Sequence, residues 1–167
     1  MQLQTLDDLF VDQLQDLYSA EQQLVQALPK MASAASNDEL REAFEHHLSE
    51  TQEHVQRISE IFGEIGTTPS GETCEAMEGL IREGEQVLTA QGDPTVRDAA
   101  LIAAAQRVEH YEIAAYGTAR TLADDLDQDG ANDLLDQTLD EESNADKLLT
   151  KIATGGMFKA GINQQAR

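Results

Sequence analysis

Four long segments of this 167-residue chain repeat apolar residues every three to four positions, which is the spacing of an amphipathic α-helix. Three of them span about residues 4–35, 94–128 and 131–154. Another follows a capping-box pattern at Ser36 and Glu39 and reaches about residue 65. A shorter helical pattern covers about residues 73–91, and Pro29 is expected to bend or briefly break the first helix. Because Ala, Leu, Glu and Gln dominate while Val and Ile are sparse, we predict an all-α fold.

The lengths of the connections predict how these helices pair. Short turns join the first helix to the second and the third to the fourth, so each pair forms an antiparallel hairpin. Nearly thirty residues separate the pairs, enough to cross the length of a bundle, and Asp93 and Pro94 mark the start of the third long helix. One long crossover is typical of the ferritin-like topology. We therefore predict a ferritin-like four-helix bundle over residues 1–154, with a short extra helix in the crossover between helices two and three, and a flexible tail over residues 155–167.

The charge and the cysteine content exclude several classes of function. The chain has 32 acidic and 11 basic residues, a net charge of −21, which repels nucleic-acid backbones and anionic membranes. Cys74 is the only cysteine, so no intrachain disulfide can form, and we expect a small, partly buried side chain there. The first ten residues lack the basic and apolar runs of a signal peptide, and no transmembrane segment is expected. These features favour a cytoplasmic protein.

Each long helix carries a glutamate near its middle, on or beside the apolar stripe. Antiparallel neighbours of similar length bring their midpoints to one level, so these carboxylates should converge in one layer of the core. Burying unpaired carboxylates costs several kcal/mol each, and no Lys or Arg shares their face. Two divalent cations would offset the charge, and oxygen ligands with one imidazole suit iron or manganese better than zinc. The predicted metal ligands are Glu21, His47, Glu50, Glu109, Glu112 and Glu142.

Several neighbouring side chains are weaker candidates. His54, Glu53, Glu141 and Asp146 could join the site, although a solvated surface position is the more ordinary interpretation of each. Tyr18, Tyr111 and Tyr116 could donate a hydrogen bond to a ligand carboxylate, and a core position with the hydroxyl near water is an equally good interpretation.

Five segments carry a resemblance to a known family: "DLYSAEQQL", "HLSETQEHV", "AMEGLIREG", "RDAALIAAAQRVEHYEIAAYGT" and "LDEES". They resemble the YciE/YciF-type family of small bacterial ferritin-like proteins over about residues 4–153. The resemblance implies a ferritin-like fold, a homodimer, a di-iron or related dimetal centre and a role in stress responses. Its pattern points to the same six ligands. Many di-iron bundles use Glu-x-x-His in two helices, whereas here Glu50 is followed by Glu53 at that spacing and Glu142 by Ala145.

The leading hypothesis is a cytoplasmic dimetal protein that acts in stress protection through oxidase or peroxide-scavenging chemistry. In it, Glu50 and Glu142 bridge two iron or manganese ions, while the other four ligands complete the site and an open position takes a small oxidant. One alternative is a structural or interaction protein whose carboxylate layer is vestigial or only stabilising. A ferritin-type storage cage is a further alternative, although the sequence shows no sign of a shell-forming interface.

Overall fold

The computed structural model describes residues 3–69, 71–157 and 159–167, and it confirms an all-α fold. The elements are α1 (Leu6–Ala34), α2 (Asp38–Glu64), α3 (Glu75–Leu88), α4 (Pro94–Asp125), α5 (Asp129–Thr154), β1 (Gly155–Gly156), β2 (Lys159–Ala160) and α6 (Ile162–Gln165). The two short strands pair antiparallel in a single hairpin. None of the described helices is long and apolar enough to cross a membrane.

The four long helices pack as two hairpins, α1 with α2 and α4 with α5. The hairpins contact each other where α2 meets α5 and α1 meets α4, and α3 lies against α4 and α1. Pro29 lies inside α1, which continues through it, so the brief break expected as one alternative to a bend does not occur. The predicted start of the third long helix is confirmed, since Asp93 accepts hydrogen bonds from the backbone N–H groups of Thr95 and Val96, with Pro94 at the first helical position.

The start of α2 differs from its prediction. Asn37, not Ser36, caps the helix by accepting a hydrogen bond from the Leu40 N–H. Ser36 instead donates its hydroxyl to Asp98 Oδ2 at 2.6 Å and its N–H to Asp98 Oδ1 at 2.9 Å. The Asn37 N–H donates to Asp98 Oδ2 as well, at 2.8 Å. Because Asp98 lies buried on α4, these three bonds tie the α1–α2 turn to the second hairpin.

The apolar core consists of two clusters at different heights along the bundle. One contains Leu24, Leu40, Leu101 and Leu149, and the other contains Leu14, Ile58, Tyr116 and Leu135. Each of the four long helices also has buried polar residues between the two clusters. The fold therefore places a polar layer across the middle of the bundle.

The segment predicted as a flexible tail contains two short strands and one short helix. After α5 the chain turns through the β1–β2 hairpin into α6, where Ile162 is 1% exposed and belongs to the first apolar cluster. Gly155 adopts a φ of +76°, and Gly161 approaches it so closely that neither position has room for a side chain. Phe158 lies outside the described residues.

Candidate metal centre

The polar layer is built from the middle of each long helix. Its acidic and imidazole members are Glu21 on α1, His47 and His54 on α2, Glu109 and Glu112 on α4, and Glu142 on α5. All six are buried, with 0–5% of each residue exposed. The hairpin connections fix this arrangement, because they set the midpoints of neighbouring helices at one level.

Potential metal-binding atoms in the layer form two groups. His47, Glu109, Glu112 and Glu142 each offer one atom within 4.8 Å of the others, and so do Glu21, His54 and Glu142 in the second group. Glu142 belongs to both, with Oε1 lying 3.0 Å from His54 Nδ1 and Oε2 lying 3.6 Å from His47 Nε2. Its two oxygens therefore face the two groups, as a carboxylate between two cations would.

Many polar atoms of the layer make no hydrogen bond to any residue that the structure describes. They are Glu21 Oε2, Glu109 Oε2, both carboxylate oxygens of Glu112 and Glu142, both ring nitrogens of His47, and His54 Nδ1. Buried polar groups are rarely left unpaired, because each costs about 1–3 kcal/mol and a charged group costs more. Six of these nine atoms are carboxylate oxygens. A bound cation would therefore supply the partners that these oxygens lack. The donor set fits hard or borderline divalent cations.

Burial and mutual repulsion shape the charges of the carboxylates. Burial raises the pKa of Glu112 well above its usual range, and the neighbouring carboxylates raise it further. The pKa of Glu109 is also raised well above its usual range, because burial outweighs the attraction of His47. For Glu142 the balance is reversed, since His47 and His54 lower its pKa more than burial raises it. Without metal, these shifts favour the anionic form of Glu142 and the protonated forms of Glu109 and Glu112.

The two buried histidines take protons from the same environment. Burial lowers the pKa of His47, but the charges of Glu109 and Glu142 outweigh it and raise that pKa to about 10. Burial likewise lowers the pKa of His54, and its contacts with Glu142 and Glu21 raise it to about 11. Both imidazoles are thus cationic when no metal is bound, and a metal ion would have to displace their protons.

Residues around the layer orient its members. His54 Nε2 lies 2.9 Å from Glu141 Oε2, and Arg57 donates to both oxygens of Glu141 at 2.5 and 3.0 Å. On the other side, the buried Tyr116 hydroxyl donates to Glu21 Oε1 at 2.5 Å. A carboxylate that accepts from one ring nitrogen of a histidine leaves the other nitrogen free to bind metal. The Glu141 contact therefore directs His54 Nδ1 toward Glu21 and Glu142.

Five of the six predicted ligands belong to the two groups, and Glu50 does not. The Glu50 side chain is 24% exposed and lies at the edge of the layer, with its oxygens 3.2 Å from His46 Nε2 and 3.5 Å from His47 Nδ1. The structure therefore does not bring Glu50 together with Glu142 as a bridging pair. His54, only a weaker candidate in the sequence, takes part instead. The sequence signal for His54 was its spacing. It lies seven residues, or two helical turns, after His47 on the buried stripe of α2.

The other candidates lie outside both groups. Glu141 is the partner of His54 just described, Glu53 is exposed beside Arg57, and Asp146 pairs with His110. Of the tyrosines, only Tyr116 contacts a member of the layer through its hydroxyl; Tyr18 packs edge-on against Phe62. Tyr111 donates to Asp16 and lies 3.1 Å from the sulfur of Cys74. Cys74 is a buried free thiol that caps α3.

Comparisons with known proteins agree with this architecture. Protein YciF of Escherichia coli strain K12 is 46% identical over 165 residues, covering 98% of this chain and 99% of that protein. The crystal structure of the E. coli stress protein YciF matches with a TM-score of 0.87 and 48% identity, over 89% of this chain and 94% of that one. YcfI from Rhodopseudomonas palustris, whose name proposes a structural role, matches with a TM-score of 0.86 and 43% identity, over 90% and 96% of the two chains.

The family of the chain follows from a match that covers nearly all of it. Residues 5–166 match the family described as a domain of unknown function, DUF892. Together with the high identity to YciF, this match confirms the resemblance noted in the sequence. The chain therefore belongs to the DUF892 family of YciF-type proteins.

Proposed function

We propose that the chain is a ferritin-like dimetal carboxylate protein, with iron or manganese as its metal, that acts in stress protection. The observation that carries this proposal is Glu142, whose two oxygens face two groups of buried donors that lack hydrogen-bond partners among the described residues. The relationship to a stress protein of E. coli supports the biological role.

In this proposal, each group of side chains holds one ion. His47, Glu109 and Glu112 would hold the first, Glu21 and His54 would hold the second, and Glu142, which belongs to both groups, would contribute to both. A bound pair of ions would supply Lewis-acid or redox chemistry toward a small oxidant such as peroxide or dioxygen. The apolar clusters above and below the layer shield it from solvent at both ends of the bundle. Glu141 and Tyr116 fix the orientations of His54 and Glu21.

Metal titration tests the proposal. Purified metal-free protein should take up two Fe(II) or Mn(II) ions per chain, and Glu142→Gln should lose both because both groups share this residue. Glu53→Gln is the matched control, since Glu53 is an exposed glutamate outside both groups. Absence of stoichiometric uptake by the unmodified chain would overturn the proposal. Consumption of peroxide by the metal-loaded protein then tests the reaction.

The second candidate is a structural or interaction protein in which metal only stabilises the fold. The name of the R. palustris relative favours it. Thermal unfolding with and without chelator, together with peroxide consumption, separates the two candidates. A melting temperature that depends on metal, without any turnover, supports the structural role.

We also propose a homodimer and a cytoplasmic location, as the family resemblance and the acidic, single-cysteine composition suggest. Sedimentation equilibrium tests the first and fractionation of cells tests the second.

A further inference from the structure

A cavity of about 100 Å³ lies between α2 and α5, beside the polar layer. Its inner wall is formed by His47 and Glu109, both buried, while His46 and Asn144 at its rim are exposed. The cavity therefore connects the solvent with the first group of metal-binding side chains. His47 and Glu109 belong to that group, so the cavity borders the proposed site of the first ion.

The sides of the cavity are apolar and are kept open by small residues. Phe44 and Leu149 contribute buried surface, and Ala43 on α2 and Ala145 on α5 are the smallest of the lining residues. A longer side chain at either alanine would take up part of a space of only about 100 Å³. We therefore expect both positions to affect access to the cavity.

The volume limits the occupant to a molecule of a few heavy atoms. Sites for drug-sized ligands have about 300–1,000 Å³, whereas a single water needs about 10–15 Å³ of comparable space. Dioxygen and hydrogen peroxide fit within these bounds, and an organic substrate of ordinary size does not.

The charges around the cavity select against anions. Glu50, whose side chain is 24% exposed, lines it, and no Lys or Arg is among its described lining residues. The net charge of −21 adds a repulsive field over the whole surface. A neutral molecule meets no such barrier. At the inner end, both ring nitrogens of His47 lack a hydrogen-bond partner among the described residues, so the wall offers polar groups to a bound molecule.

We propose that this cavity between α2 and α5 binds a small neutral molecule, of the dioxygen and hydrogen peroxide class, against His47 and Glu109. Binding in the cavity does not depend on metal. Any reaction of the bound molecule does, and that part rests on the proposed dimetal function. The site gives that function its substrate class: neutral oxidants are admitted, and anionic ones such as superoxide are disfavoured.

Xenon, a small neutral probe, tests binding without any metal. In metal-free protein under xenon pressure, the methyl resonances of Ala43, Ala145 and Leu149 should shift. In Ala145→Leu, the xenon-induced shifts of Ala43 and Leu149 should be lost. Ala115→Leu is the matched control, because Ala115 is also half-buried but lines a separate open cleft beside α3. It should keep all the xenon-induced shifts.

Nitric oxide, a neutral diatomic, tests access to the metal. We expect its association rate with the Fe(II)-loaded protein to fall by about tenfold in Ala145→Leu at unchanged iron content. The rate should stay unchanged in Ala115→Leu. Azide, an anion of similar width, should bind more slowly than nitric oxide to the unmodified protein. If Ala145→Leu does not fold, Ala43→Leu closes the cavity from the opposite helix.

Two results would overturn the inference: no xenon shifts at these methyl groups, or an unchanged nitric oxide rate in a folded variant that no longer binds xenon. If the protein takes up no iron, the dimetal function fails, and the xenon measurement still decides whether the cavity binds a small neutral molecule.

Discussion

Adjacent glutamates on α5 lie in opposite environments. Glu142 lies inside the layer, whereas Glu141 turns toward Arg57 at its edge. Burial raises the pKa of Glu141, but its hydrogen bonds with Arg57 and His54 outweigh burial and lower that pKa to about 2. Glu141 therefore stays anionic and is suited to accept a hydrogen bond from His54 Nε2. In this way Glu141, which lies outside both groups, orients His54, which could bind metal.

Replacing Glu141 with glutamine should weaken metal binding without removing it. A neutral amide is a poorer partner for His54, and losing such a contact typically lowers metal affinity by about 10–100-fold. Competition with a chromophoric chelator measures the change. Glu53→Gln is the control, because Glu53 also contacts Arg57 but its side chain is 62% exposed. Equal affinities in both variants would show that Glu141 does not position His54.

At the scale of elements, the long helices could be predicted because each follows the 3.6-residue repeat for many turns. The cap of α2 could not, because Ser36 bonds to Asp98, which lies 62 residues further along the chain.

The residues of the candidate site could likewise be predicted only in part. Mid-helix glutamates on an apolar stripe were visible in the sequence. The choice of His54 over Glu50 depends on which part of the α2 surface meets α1 and α5, and only tertiary contacts define that.

The C-terminal segment also depends on tertiary contacts. It is too short to show a helical repeat, and its order comes from α6, which packs against α4 and α5. The turn that places α6 there relies on Gly155 with its left-handed backbone. Residues 159–166 thus close one end of the bundle, where Ile162 joins the first apolar cluster.

We expect Ile162→Ala to lower the free energy of unfolding by about 2–4 kcal/mol, because it removes a fully buried side chain and leaves a cavity. Urea unfolding followed by circular dichroism measures this difference. Met157→Ala is the control from the same segment, since Met157 is 91% exposed and its loss should change little. A flexible tail, as the sequence suggested, would instead make both variants as stable as the parent protein.

For the whole molecule, the polar layer separates two apolar clusters that would otherwise form one core. Without metal, the raised pKa values of Glu109 and Glu112 favour their neutral forms, and those of His47 and His54 favour cations that offset the charge of Glu142. In the proposed metal-bound form, the cations would take over this role. Protons and metal ions would then compete for one set of side chains, and the stability of the bundle would depend on which of them is bound.

This competition predicts opposite pH dependences for the two forms. The folded pKa values of His47 and His54 lie above the ordinary 6.5, so their stabilisation is present below pH 6.5 and is lost as the pH rises toward about 10 and 11. The raised pKa values of Glu109 and Glu112 act in the same direction, because the unfolded chain releases those protons first. The metal-free protein should therefore melt at lower temperature as the pH rises above 6.5.

The stabilisation by Mn(II), which needs deprotonated ligands, should increase over the same range while the ion stays in solution. Thermal melts with chelator and with Mn(II) across this range measure both slopes, and parallel slopes would mean that metal and protons do not share these side chains.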